Sequence, residues 1–174
     1  MKKTNKKTNK KTSRIFDFNL DILNDKEDTL CLKIEGELVP ASRPRVTRFG
    51  SYIAEPYKSF KVQFSKLIRD HLLHIGSKFI NSPLSIDITY YKSVPKSYSK
   101  EKTKEALKYG CVKRPDLDNY YKAVLDSMDN IIYNDDSYVV ELTGRKLYTM
   151  DKSYLLINIT KFVNDNVDKY RIVN

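Results

Sequence analysis

From Leu84 to Tyr90 the chain reads Leu-Ser-Ile-Asp-Ile-Thr-Tyr, a strict apolar and polar alternation that only an extended strand converts into one buried and one solvated face. The same period of two runs through Leu30, Leu32 and Ile34, interleaved with Cys31, Lys33 and Glu35, and resumes at Leu38 after Gly36. Between these strands the period changes. Phe60, Phe64, Leu67, Ile68, Leu72 and Ile75 fall at helical spacing after Pro56, with Lys58, Lys61, Lys66 and Arg69 largely on other faces and Gly76 as a natural stop. Further on, Tyr121, Val124, Leu125 and Met128 predict a helix over 118–128 with Asp118 as its N-cap. Segments 139–148 and 154–159 read as two closing strands, joined near Asp151-Lys152 as a hairpin. The order strand, loop, helix, strand, loop, helix, strand, strand predicts an α+β fold: one mixed β-sheet with two main helices packed on it.

The two loops in that order are basic. Pro40-Ala41-Ser42-Arg43-Pro44-Arg45 cannot be helical, because each proline lacks an amide donor and biases the residue before it toward extended geometry, so Arg43 and Arg45 sit on a stiff loop. Residues 92–113 form a long, Lys-rich connection, with a short helix expected near 99–108; a connection of that length is more often functional than not.

A chain of 174 residues is long enough for one domain with a sizeable core, and no apolar run of about 18 residues is present to span a bilayer as a helix. The net charge is +10, but Lys2, Lys3, Lys6, Lys7, Lys10, Lys11 and Arg14 supply seven of those charges. Their KKTN-type repeats are polar and self-repelling, so residues 1–28 are expected to form a basic, flexible N-terminal arm and 29–174 the globular domain. The arm reads equally as a sequence-independent phosphate tether and as a solubilising tail. No apolar segment follows its lysines, which argues against a secretory signal and for a cytoplasmic protein. Cys31 and Cys111 lack any CxxC or nearby His, so neither zinc nor a disulfide framework is indicated, and His71 and His74 are too few and too remote from the acids to suggest a nucleophile–base pair.

The chemistry concentrates in Lys113-Arg114-Pro115-Asp116-Leu117-Asp118-Asn119, followed by Lys122 and by Asp135-Asp136. In an extended segment Asp116 and Asp118 share one face, and if the following strand ran beside the strand ending at Asp116, Asp135-Asp136 would close on the same pocket. Mg²⁺ takes few carboxylates and keeps its waters, so three acids suffice. A basic chain with such a cluster suggests a nuclease. Taken singly the signals are weak: Asp is common at caps and turns, DxD also serves glycosyltransferases, and Lys122 has a surface partner available in Asp126. Most of the 13 tyrosines read as core and strand material, with Tyr52, Tyr57 and Tyr98 in basic stretches where they could stack on bases.

Together these residues carry a resemblance. R-P-D-L-D-N-Y-Y-K at Arg114–Lys122 is similar to the basic-D-L-D-N-x-x-K core of the RusA family of Holliday junction resolvases. The later N-D-D at Asn134–Asp136, V-V-E-L-T-G-R-K at Val139–Lys146 and P-A-S-R-P-R at Pro40–Arg45 also resemble that family, over roughly residues 30–160. The resemblance implies a Mg²⁺-dependent homodimer, with Mn²⁺ as a substitute metal, that resolves four-way junctions by paired symmetric nicks in recombination and repair, in a phage or prophage setting. By the same resemblance Asp116, Asp118 and Asp136 are metal ligands, Asp135 an adjoining acid, and Lys122 the essential lysine. Arg43, Arg45, Arg48, Lys113 and Arg114 are the expected DNA contacts. Two alternatives stay open: a non-catalytic branched-DNA-binding protein of the same fold, and a flap or fork nuclease.

Overall fold

A computed structural model describes residues 16–76 and 79–163, the side chain of His74 excepted. The elements are β1 (Asn19–Lys26), β2 (Thr29–Glu35), β3 (Arg45–Thr47), β4 (Gly50–Tyr52), α1 (Tyr57–Gly76), β5 (Leu84–Ser93), α2 (Lys100–Tyr109), α3 (Leu117–Met128), β6 (Val139–Thr149) and β7 (Tyr154–Lys161), with one 3-10 turn at Asp136–Tyr138. Five strands form a mixed sheet in the order β1-β2-β7-β5-β6, and β3 and β4 form a separate hairpin.

The alternation read in the sequence sets the register. Across β2, β7 and β5 the inward side chains form rows, Leu30–Ile159–Ile86, Leu32–Ile157–Ile88 and Ile34–Leu155–Tyr90, all buried. A slip of one residue in any of these strands would turn its apolar set to water. α1 buries Tyr57, Phe60, Phe64, Ile68 and Leu72, while α3 buries Tyr120, Ala123, Val124 and Met128. Both helices close over one apolar cluster with the strands. Each large side chain so buried stabilises the fold by about 1.5–3 kcal/mol. The α+β architecture expected from the sequence is present, with α2 as a third helix that buries none of its own residues.

Three expectations are corrected. First, the arm does not extend to residue 28: Asn19–Lys26 is the edge strand β1, paired antiparallel with β2, and Phe18 packs its ring edge-on to Phe60 and Phe64. Apolar Phe16, Phe18 and Leu20 carry this segment into the core, while residues 1–15 lie outside the described residues. Second, β6 and β7 are not a hairpin. β5 lies between them, parallel to β6 and antiparallel to β7. The pattern explains why: β6 is mostly exposed from Val140 to Thr143 and suits an edge, whereas β5 and β7 present their inward residues to the shared core. Third, the N-cap of α3 is Asp116, not Asp118, and the buried face is turned by about one residue, with Tyr121 and Leu125 only half-buried.

Candidate active site and nucleic-acid interface

Asp116 has extended backbone, with φ −69° and ψ 156°, and starts α3 without spending its side chain on a capping bond. Asp118 lies in the first helical turn, exposed, and accepts from Asn119 Nδ2 at 3.1 Å. Both carboxylates therefore stand at the positive end of the α3 dipole with most of their oxygen valence unused. Because the helix begins between them, they do not share a strand face as an extended run would place them.

The backbone that presents these acids is tied down from two sides. Lys146 on β6 donates from Nζ to the carbonyls of Lys113 at 2.7 Å and Pro115 at 2.6 Å. On the other side, the Ala41 amide donates to the Asn119 carbonyl at 2.8 Å. That bond joins the Pro40–Arg45 loop to the first turn of α3, so a basic loop and an acidic one, far apart in sequence, meet at one helix end. Arg43, Arg45 and Arg48 are all exposed there or on the β3–β4 hairpin that follows, with Arg48 stacked 4.6 Å from the Phe49 ring centroid. Lys113 and Arg114 are exposed as well.

The second acidic pair lies toward the other end of α3. Asp135 caps the 3-10 turn by accepting from the Ser137 amide at 2.9 Å, and the Ser137 hydroxyl foremost, then that amide, hold its carboxyl below the usual carboxylate range. Asp136 is exposed. Burial foremost, then the charges of Asp129, Asp136 and Asp126, raise the Tyr133 phenol far above its ordinary value, and that phenol donates to the Leu125 carbonyl in the last turns of α3 at 2.8 Å. The Tyr133 bond therefore ties the segment that carries the second acidic pair to the C-terminal half of α3, whereas Asp116 and Asp118 stand at its N-terminus. Among the described residues no three His, Cys, Asp or Glu side chains come together as a metal site. No strand ends at Asp116, which removes the condition on which the acids were expected to converge. As donors the four aspartates suit a hard divalent cation: exposed carboxylates, with no thiol or imidazole in the set.

Lys122 pairs with Asp126 at 3.6 Å, one turn apart, with 65% of its side chain in water. Asp126 in turn accepts from the Tyr57 phenol at 2.7 Å. Tyr57 is thus a core residue and cannot stack on a base. His71 is exposed and engages the Leu67 carbonyl of its own helix at 2.8 Å, as a surface histidine does. Cys31 and Cys111 are both free thiols.

Sequence reasoning missed two features. Lys146 belongs to the V-V-E-L-T-G-R-K run, yet nothing in its spacing shows that it reaches back to the acidic loop. Gly144, in the same run, has no room for a side chain, because the Tyr121 phenol fills that space.

A sequence profile of the family Endodeoxyribonuclease RusA matches residues 35–160. The chain is also 38% identical over 129 residues to the uncharacterized protein YqaN of Bacillus subtilis (strain 168), a match covering 68% of this chain and 89% of that protein.

Proposed function

The chain belongs to the RusA endodeoxyribonucleases, a family of Holliday junction resolving nucleases, and from that premise we propose that it works as a Mg²⁺-dependent homodimer that introduces paired nicks across a four-way DNA junction. The observation that carries this reading is the pair Asp116 and Asp118, exposed at a helix N-terminus and fixed by Lys146 on one side and the arginine-bearing loop on the other. We assign Asp116 and Asp118, together at the start of α3, as metal ligands and Asp136, with Asp135 next to it in the chain, as the third acid, which follows the segment bonded to the far half of the helix and would have to be drawn in when a cation binds. These acids would hold a divalent cation, which when bound would stabilise the leaving oxygen as a Lewis acid and lower the pKa of an attacking water. The chain's own groups do the rest. Lys122 offsets charge that develops on the phosphate, and Arg43, Arg45, Arg48, Lys113 and Arg114 hold the flanking phosphates. A twofold substrate is matched by two equal sites related by a twofold axis, which favours a dimer. No helix among the described residues is long and apolar enough to cross a membrane. The reading fits a cytoplasmic enzyme of recombination and repair, carried by a phage or prophage.

The test is to incubate the protein with a synthetic four-way junction and a matched linear duplex, with Mg²⁺ or EDTA, and map nicks on every strand. Paired nicks in the junction alone, with Mg²⁺ alone, are expected. Tight junction binding without nicking would make the chain a binding protein, and nicks only at flaps or forks would change its substrate.

A further inference from the structure

The connection between β5 and α3 carries a second surface that the acidic site does not use. α2 starts at Ser99, whose hydroxyl accepts from the Lys102 amide at 3.2 Å, and packs beside β6 without burying a residue of its own. Between α2 and the segment leading to Asp116 lies a groove of about 240 Å³. Tyr98, Tyr109, Tyr148 and Val112 form its walls, and Lys102 and Lys113 stand over the Tyr98 ring at 4.5 and 5.1 Å from its centroid. Tyr109 is 67% and Val112 91% exposed, both in the lining of the groove, and the Lys108 ammonium stands 4.9 Å from the Tyr109 ring centroid, a further cation at the mouth.

We infer that this groove takes an unpaired nucleotide of the DNA substrate, its base stacked on Tyr109 and against Val112 and its phosphates on Lys102 and Lys113. The inference rests on the branched-DNA reading above and says which part of that substrate the chain grips. A base offers a flat apolar face with an anionic phosphate attached, and the groove offers aromatic faces with two cations at their edge. Glu105 is the one acid in the lining. A paired base has its faces covered by its neighbours, and the groove is far too small to admit a duplex, so the occupant is a nucleotide freed from its stack. Nucleotides at a branch point are the ones so freed. Position supports the same occupant: Lys113, on the groove's rim, is three residues from Asp116, and the one Lys146 ammonium holds the carbonyls of Lys113 and Pro115, so a short, fixed segment joins the groove to the acidic pair. The lysines resting on Tyr98 are a store of cations beside the site, drawn there by the ring's negative face and released to phosphate when DNA arrives.

The experiment uses the full chain in EDTA, a single-stranded oligonucleotide and a four-way junction, each carrying 2-aminopurine either at a branch-point or unpaired position or in mid-arm. The wild type is expected to change the fluorescence of the unpaired probes and not of the mid-arm probe. Tyr109→Ala, at a position too exposed to threaten the fold, is expected to abolish that change and weaken binding of the unpaired probes about tenfold. Tyr109→Phe is expected to keep both. A Tyr109→Ala protein that binds and perturbs the probes as the wild type does would overturn the inference. So would equal losses on unpaired and linear duplex DNA that Tyr109→Phe does not restore, or a change in oligomeric state, which would give the groove to a second copy of the chain. Nicking of the junction with Mg²⁺ is scored separately: Tyr109-dependent fluorescence without nicking keeps this inference and sinks the nuclease reading, and nicking without Tyr109 dependence does the reverse.

Discussion

Lys146 donates to the carbonyl of Pro115 at 2.6 Å, one residue before Asp116, and so fixes from a neighbouring strand the loop that aims the acidic pair. A second bond from the same ammonium, to Lys113 at 2.7 Å, spans the turn between the two carbonyls. Hydrogen bonds to a charged group contribute about 1.5–3 kcal/mol, and a displacement of about 1 Å at a reacting centre costs about a hundredfold in rate. Lys146→Met is therefore expected to leave a folded protein, lower junction affinity in EDTA less than tenfold, and cut Mg²⁺-dependent nicking by about a hundredfold. Single-turnover nicking beside a urea denaturation curve checks this. A Lys146→Met protein that nicks at the wild-type rate would reduce the lysine to a loop staple.

Gly144 and Tyr121 share one space. A side chain at residue 144 would collide with the phenol, whose hydroxyl is buried and has no hydrogen-bond partner among the described residues. Gly144→Ala is expected to destabilise by about 1–3 kcal/mol. Tyr121→Phe removes a hydroxyl that has lost its water without gaining a partner, and is expected to be neutral or stabilising by up to about 1 kcal/mol. Thermal or urea unfolding of the two single variants decides it. Destabilisation of Tyr121→Phe by more than Gly144→Ala would mean that the hydroxyl has a partner after all.

The parts of this fold that were legible in the sequence are those where one periodicity governs a whole element. Leu30, Leu32 and Ile34 alternate, Phe60, Phe64, Ile68 and Leu72 recur at helical spacing, and both elements are where that patterning puts them. Strand order was not legible, because two strands joined by a short turn pair by default, and only the solvated face of β6 relegates it to the edge beyond β5. β1 did carry the signal, because Phe16, Phe18, Leu20 and Ile22 alternate with Asp17, Asn19 and Asp21, and only its place directly behind the lysine-rich repeats gave it to the arm. At the site, the acids and Lys122 were legible as a motif. Their supports were not, because the Lys146 bonds and the Ala41–Asn119 bond link residues 31 or more positions apart and run to backbone carbonyls, which carry no sequence signal.

Arg43, Arg45 and Arg48 are exposed and stand on a loop and hairpin whose root is bonded to α3, so they meet phosphate without a large ordering cost. Each phosphate contact removed is expected to lower the slope of log K against log salt by about 0.9. The triple alanine variant should therefore bind a junction more weakly at low salt, with a slope smaller by up to about 2.7. Junction affinity measured from low to moderate salt checks this, and an unchanged slope would return the arginines to solvent.

Lys122 has two roles on offer, a pair with Asp126 and a charge for the reacting phosphate, and stability separates them. The pair is 3.6 Å long and the lysine side chain is 65% exposed, so its loss is expected to cost about 0.3–0.5 kcal/mol at most. Asp126 keeps its bond from Tyr57 when Lys122 is gone, so the helix junction between α1 and α3 stays closed. Lys122→Ala is then expected to unfold at the wild-type urea midpoint and to bind the junction in EDTA, while Mg²⁺-dependent nicking falls by two orders of magnitude or about that. Asp126→Ala provides the contrast, because it removes the acceptor of a buried phenol and is expected to destabilise by about 1–3 kcal/mol while Lys122 remains free to act. Full nicking by Lys122→Ala would leave the lysine with only its surface pair and transfer the charge it was assigned to Arg114 or Lys113.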